Sequence, residues 1–219
     1  RFKKDGKIVY SQPEKFDNQE RPNQLGNLIK GKGYINIHGE LVNEPFNFTN
    51  KNAFSIRAME DMIKAVLFPK SLPESSRFNL TTDDYDYLYK CMSSLPQESD
   101  YPQYDQWDSY VKFFMFGDSH DPMPDHIRIF NKVGDAYGYL TDCAYIVDID
   151  NRVEFLLTVT LSVNDNQIYN DGVYEYDEIG FPFMAKLGQV VYEFELDRER
   201  GYESDLGKFE LQPAQKIRW

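Results

Sequence analysis

Five short runs bring together residue types able to do chemistry. Lys132-Val133-Gly134 ends an apolar, β-branched run, so an ammonium would project from a strand edge where a glycine lets a ligand or backbone approach. Ser109-Tyr110-Val111-Lys112 sets a lysine one helical turn from a serine, the spacing at which an amine eases deprotonation of a hydroxyl nucleophile. Tyr34-Ile35-Asn36 and Ser162-Val163-Asn164 each pair a hydroxyl with a carboxamide. Glu40 and Asn43 offer a carboxylate and an amide that could hold a water.

Other clusters are weaker. His120 and His126 stand among Asp118, Asp121 and Asp125, a composition that attracts cations but reads as a solvated acidic turn. Asp165, Asn166 and Asp171 resemble a calcium loop in composition only, without its spacing. There is no Gly-rich phosphate loop, HExxH or GxSxG run, so neither a metal nor a cofactor is expected. The aromatic stretches Tyr101–Trp107 and Tyr174–Phe183 suit either a sugar or peptide groove or core packing.

The elements that must position these residues centre on Ile127–Asn164. Three β-reading runs follow one another there: a first ending at Lys132 and a small turn, a second over Tyr139–Val147, and a third over Val153–Val163. Asp148-Ile149-Asp150-Asn151 is hairpin-loop chemistry. The third run, VEFLLTVTLSV, is nearly all apolar or β-branched and predicts a central strand covered on both faces. Ser55 predicts the N-cap of a helix over Ile56–Phe68, stopped by Pro69. Thr81-Thr82-Asp83-Asp84 caps a second helix that ends at Pro96. A third helix is expected over Trp107–Met115 and a last one over Gly180–Leu196. Gly33–Asn52 and Asn164–Gly172 read as loops, and Arg200–Trp219 as a polar tail.

Bulk properties narrow the function. The 219 residues are 41% hydrophobic, with 16 Tyr and 16 Phe, which supports a packed core. A net charge of −12 argues against sequence-independent nucleic-acid binding and against docking on an anionic membrane. No apolar run is long enough to span a bilayer. Cys91 and Cys143 read as buried free thiols. Helices before an antiparallel sheet and one after it make an α+β class.

The order strand, Lys-x-Gly, Asp135-Ala136-Tyr137-Gly138, two more strands and an amphipathic helix resembles the C-terminal part of the serine β-lactamase and penicillin-binding protein superfamily. It is also similar to exported, β-lactamase-related serine hydrolases of Bacteroidetes-type bacteria. The resemblance covers Phe46–Arg198 and is most specific over Asn131–Asp148. It implies a β-lactamase/transpeptidase-like sheet, with the terminal helix on one face and a helical region on the other. One domain over 1–219 is then expected: an arm and loop (1–52), a helical part (53–117), three strands plus the terminal helix (126–198) and a tail (199–219).

The resemblance also assigns roles. Lys132 becomes the catalytic electrostatic anchor, and Val133, Gly134, Asp135 and Tyr137 the substrate-docking strand, with an oxyanion donor near Asp135. Val133 departs from the hydroxyl residue of that motif, which favours a peptide or ester over a β-lactam. Tyr34 and Asn36 match the second motif, and Glu40 and Asn43 the general-base loop, although Gly39 occupies the glutamate's offset. Ser109 lies too close to Lys132 to be the nucleophile, which is expected upstream of Arg1. The function expected is acyl transfer by a serine hydrolase of the periplasm or cell surface, acting on a small-molecule or peptide substrate. The alternative is a non-catalytic binding domain that keeps this fold. A homodimer, or association with the upstream segment, would cover the exposed sheet edge.

Overall fold

A computed structural model describes residues 2–4, 7–16, 18–19, 25–99, 102–201 and 203–209. Its N-terminal part is a set of short strands: β1 (Phe2–Lys4), β2 (Lys7–Tyr10), β3 (Ile29–Lys30), β4 (Gly33–Ile35), β5 (Leu41–Val42) and β6 (Phe46–Asn47). Two helices follow, α1 (Ile56–Leu67) and α2 (Thr82–Ser93), then the long strands β7 (Ile127–Ala136), β8 (Tyr139–Asp148) and β9 (Val153–Ser162). A two-residue strand β10 (Ile168–Tyr169) and helix α3 (Phe181–Asp197) complete the regular structure.

Local chemistry sets the first two helices. The Ser55 hydroxyl accepts a bond from the Ala58 N–H at 3.1 Å, capping α1. Thr81 and Asp84 form a reciprocal capping box on α2, with Asp84 N–H donating to Thr81 and Thr81 N–H donating to the Asp84 carboxylate. Those bonds hold the Asp84 carboxyl below its ordinary range.

The three long strands pair antiparallel in the order β7-β8-β9, giving the mixed α+β architecture. The sequence expectation for the centre is corrected here. β8, not β9, is the middle strand and is buried from Asp142 to Asp148, while most of β9 is only half-covered. Counting apolar residues favours β9 because β8 carries Thr141, Asp142 and Cys143, polar groups that the fold satisfies internally. Nor does β7 end at Lys132. It continues to Ala136, with Lys132, Val133 and Gly134 still paired to Cys143, Asp142 and Thr141. The reversal falls instead on Tyr137 and Gly138, at φ 57° and 75°, the two left-handed positions of a two-residue hairpin turn.

Each sheet face buries its own apolar cluster. On one, α3 and the segment Phe113–Met115 cover Ile127, Ile129, Leu140, Ala144 and Ile146. A Cβ at Gly188 would sit 2.5 Å from the Met115 backbone nitrogen, so glycine there allows α3 to approach that segment. On the other, α1 and α2 cover Phe130, Cys143, Tyr145 and Val147. Cys91 and Cys143 are free thiols. Among the described residues no helix is long and apolar enough to cross a membrane.

Three further expectations change. Trp107–Met115 is not a helix: only Asp108–Val111 makes a 3-10 turn. Phe113, Phe114 and Met115 are all buried, a run that one face of a surface helix cannot bury. Gly33–Asn52 and Asn164–Gly172 are not plain loops, because β10 pairs parallel to β4, which pairs antiparallel to β5, and β3 pairs with β6. The polar tail also carries a core anchor, although residues 210–219 lie outside the described residues. Leu206 and Phe209 are buried, and the Phe209 ring packs at 4.8 Å from Tyr145, 5.1 Å from Phe130 and 5.9 Å from Phe68. Lys208 fixes the approach by donating to the Leu67 carbonyl at 2.6 Å.

Phe209→Ala is therefore expected to cost about 3–5 kcal/mol, the range for emptying a buried phenylalanine site. Urea denaturation followed by circular dichroism reads this directly. A loss below about 0.5 kcal/mol, typical of surface changes, would contradict the anchor.

Candidate functional site

The candidate site is built on the outer half of β7. Its inner half, Ile127–Asn131, is buried except for a half-covered Arg128, whereas Lys132, Gly134, Asp135 and Ala136 are exposed. No other strand pairs with the free side of β7 among the described residues. Lys132 extends into solvent, and its ammonium donates to the Val133 carbonyl at 2.6 Å. A Cβ at Gly134 would meet nothing within 4 Å, so the sheet face is open at that position.

What fixes that edge is a polar network in the core beside it. Asn131, Lys112 and Asp142 are all buried. The Lys112 ammonium donates to the Met92 carbonyl and to Asn131 Oδ1, both at 2.7 Å. Asn131 Nδ2 donates to the Val111 carbonyl at 2.9 Å and to Asp142 Oδ1 at 3.0 Å. The Phe113 N–H donates to Asp142 Oδ2 at 3.3 Å. One amide thus joins a cation to a carboxylate and ties α2, the 108–115 segment, β7 and β8 together. Burial pushes the Lys112 ammonium down to about 7, against the attraction of Asp142 and Glu98. Burial likewise pushes the Asp142 carboxyl up to about 7, against the Asn131 bond and the Lys112 charge.

This network removes the Ser109-x-x-Lys112 run from catalysis, in agreement with its rejection on sequence grounds. Ser109 is buried, and its hydroxyl donates to the Ser119 carbonyl, while Lys112 is engaged elsewhere. The sequence offered Lys112 only as part of a rejected motif and gave no indication that Asn131 and Asp142 meet it in the core. The one available signal was an ionisable residue, Asp142, within the second strand.

The remaining candidates fall into two groups. Asn36 and Glu40 meet across the β4–β5 turn: Asn36 Nδ2 donates to Glu40 Oε2 at 3.1 Å, and Asn36 Oδ1 accepts from the Glu40 N–H at 3.0 Å. That pairing shapes a turn, and Asn43 stands exposed nearby. Tyr34 and Tyr137 belong instead to an aromatic cluster. Tyr34 lies 5.2 Å from Phe46, and Tyr137 lies 5.7 Å from Phe46 and 5.4 Å from Phe48. Lys51 rests its ammonium over the Phe46 and Tyr137 rings, at 5.6 and 5.4 Å. Clefts of about 390 and 470 Å³ open on either side of it.

The histidines do not converge on a metal site. His120 stacks on Trp107 at 3.8 Å, and His126 faces Asp148 at 4.0 Å and Asp150 at 3.9 Å. Burial would raise the Asp148 carboxyl, but bonds from Asn151 and Tyr192 and the nearby His126 hold it below its ordinary range. Asn166 and Asp171 bond to one another within a turn. Among the described residues no group of three or more acidic, histidine or cysteine side chains could hold a metal. The Trp107 end of the first aromatic stretch is described; Tyr101 lies outside the described residues.

Lys112→Met is expected to cost about 3 kcal/mol or more, because removing one member of a buried charge network strands the others. Lys132→Met should change stability by less than about 0.5 kcal/mol. Equal losses in urea denaturation would contradict this division. The pH dependence has a definite sign for Asp142. Its folded value lies above the ordinary 3.8, so its contribution is full below about pH 4 and is lost as pH rises through about 7. Asp142→Asn should therefore gain on the wild type between those values, as read from urea midpoints; a pH-independent difference would count against the assignment.

Comparison with known proteins returns no match: no protein-family model, no curated protein and no solved structure is significantly similar to this chain.

Proposed function

We propose that this chain is the substrate-docking portion of a β-lactamase-like serine hydrolase, exported to the periplasm or cell surface. Its sheet would be of β-lactamase/transpeptidase type, with α3 on one face and α1 and α2 on the other. The observation that carries the reading is the exposed outer half of β7. An extended peptide, ester or β-lactam can lie along a free strand edge and bond to its backbone, as peptides do in strand addition.

In this reading Lys132 holds the substrate's anionic group, and an N–H near Asp135 receives the developing oxyanion. A serine hydroxyl outside this chain attacks the carbonyl carbon, the amine or alcohol leaves with a proton, and water later releases the acid. Val133 has no hydroxyl to add a bond to a substrate carboxylate, which favours peptides or esters over β-lactams. A second reading, a binding domain without catalysis, is favoured by Val133 and by Glu40, which is offset from the general-base position and pairs with Asn36 in a turn.

The test is covalent labelling of the protein expressed from its complete reading frame, with a fluorophosphonate and a fluorescent penicillin, followed by intact mass and adduct mapping. The expected result is an adduct on a serine outside this chain, formed faster by the fluorophosphonate and slowed about 100-fold by Lys132→Ala, the scale of losing an electrostatic catalytic group. An adduct on Ser109 would overturn the site assignment. No adduct from either probe in folded protein would favour the binding domain.

A further inference from the structure

The paired clefts around Lys51 form a second feature, beside the β7 edge and independent of any acyl transfer. The Phe48 carbonyl accepts the Lys51 backbone N–H at 2.9 Å, so Phe48 and Lys51 lie on one tight turn. The β7–β8 turn brings Tyr137 to the same place. One cleft is lined by Lys30, Phe48, Lys51, Phe54, Ala136 and Tyr137 among others. The other is lined by Tyr34, Asn36, Ile37, Phe46, Lys51 and Asn170 among others.

Charge and polarity together define the ligand. The chain carries a net −12, yet among the described residues the only charged ones lining either cleft are the lysines Lys30 and Lys51. Among the described residues, no carboxylate pairs with Lys51; its ammonium is held only by ring faces, which position the charge without neutralising it. The surrounding wall is mostly apolar and aromatic, with Asn27, Asn36, Asn52 and Asn170 as polar members, and it is open: Ile37 is 97% and Phe54 54% exposed. An anion alone would leave that wall wet, and an apolar molecule alone would leave the cation unpaired.

We propose that Lys51 and its flanking rings bind a small amphiphilic carboxylate, with the carboxylate on the lysine ammonium and an aromatic body seated in the clefts. Lys30, half-buried on β3, supports the same charge preference from the rim.

Isothermal titration calorimetry with N-acetylphenylalanine, its neutral amide and acetate tests the proposal. The acid should bind, more weakly as salt rises, while the amide and acetate should each bind about tenfold or more weakly, a difference equivalent to one charge contact. Lys51→Met should reduce the acid to the level of the amide, Lys51→Arg should retain binding, and Lys70→Met should bind like the wild type. Equal binding of acid and amide, no binding of the acid, or full binding by a folded Lys51→Met protein would overturn it. None of these outcomes depends on serine labelling, so failure here is distinct from failure of the hydrolase reading.

Discussion

The fold depends on the contact in which Asn131 bridges Lys112 and Asp142 inside the core. Burying a cation and a carboxylate is costly unless their hydrogen bonds are satisfied, and a half-satisfied network is worse than an apolar one. Here the last turn of α2, the 108–115 segment, β7 and β8 all contribute a partner. The consequence is positional. Asn131 is the last buried residue of β7 before the exposed run that begins at Lys132, so the network fixes where the strand leaves the core and how its free edge is presented.

Much of this was legible in the sequence where the cause is local. Ser55 and Thr81 announce helix starts because a cap acts within a few residues. The antiparallel order of the long strands follows from short connections. The centre of the sheet was not legible, because burial of β8 depends on donors from Asn131 of β7 and from the 113–114 backbone that satisfy Asp142. Counting apolar residues therefore chose β9. The helix expected over Trp107–Met115 failed for the same reason: helical residues bury one stripe, whereas Phe113 to Met115 are buried in succession. Phe209, in a polar tail whose few aromatics are widely spaced, gives no periodic signal at all.

The site shows the same division. The sequence identified Lys132 to Tyr137 as a unit, and the strand does present much of that stretch to solvent. It could not bring Lys51, Phe46 and Tyr34 to Tyr137, since they are remote in the chain and meet only through short strand pairs and turns. The two lysines differ as the sequence reading separated them: Lys112 is wholly enclosed and structural in its contacts, whereas Lys132 is exposed and donates to the Val133 carbonyl.

Amide hydrogen exchange in the wild type and Asn131→Ala, under conditions where both are folded, tests the central claim most directly. If the buried bridge sets the β7 edge, protection should fall together in residues 111–115 and 133–136, while the β8–β9 pairing stays protected. Unchanged protection in 133–136, with loss confined to the neighbours of Asn131, would show that the edge is held by other means and would contradict the account.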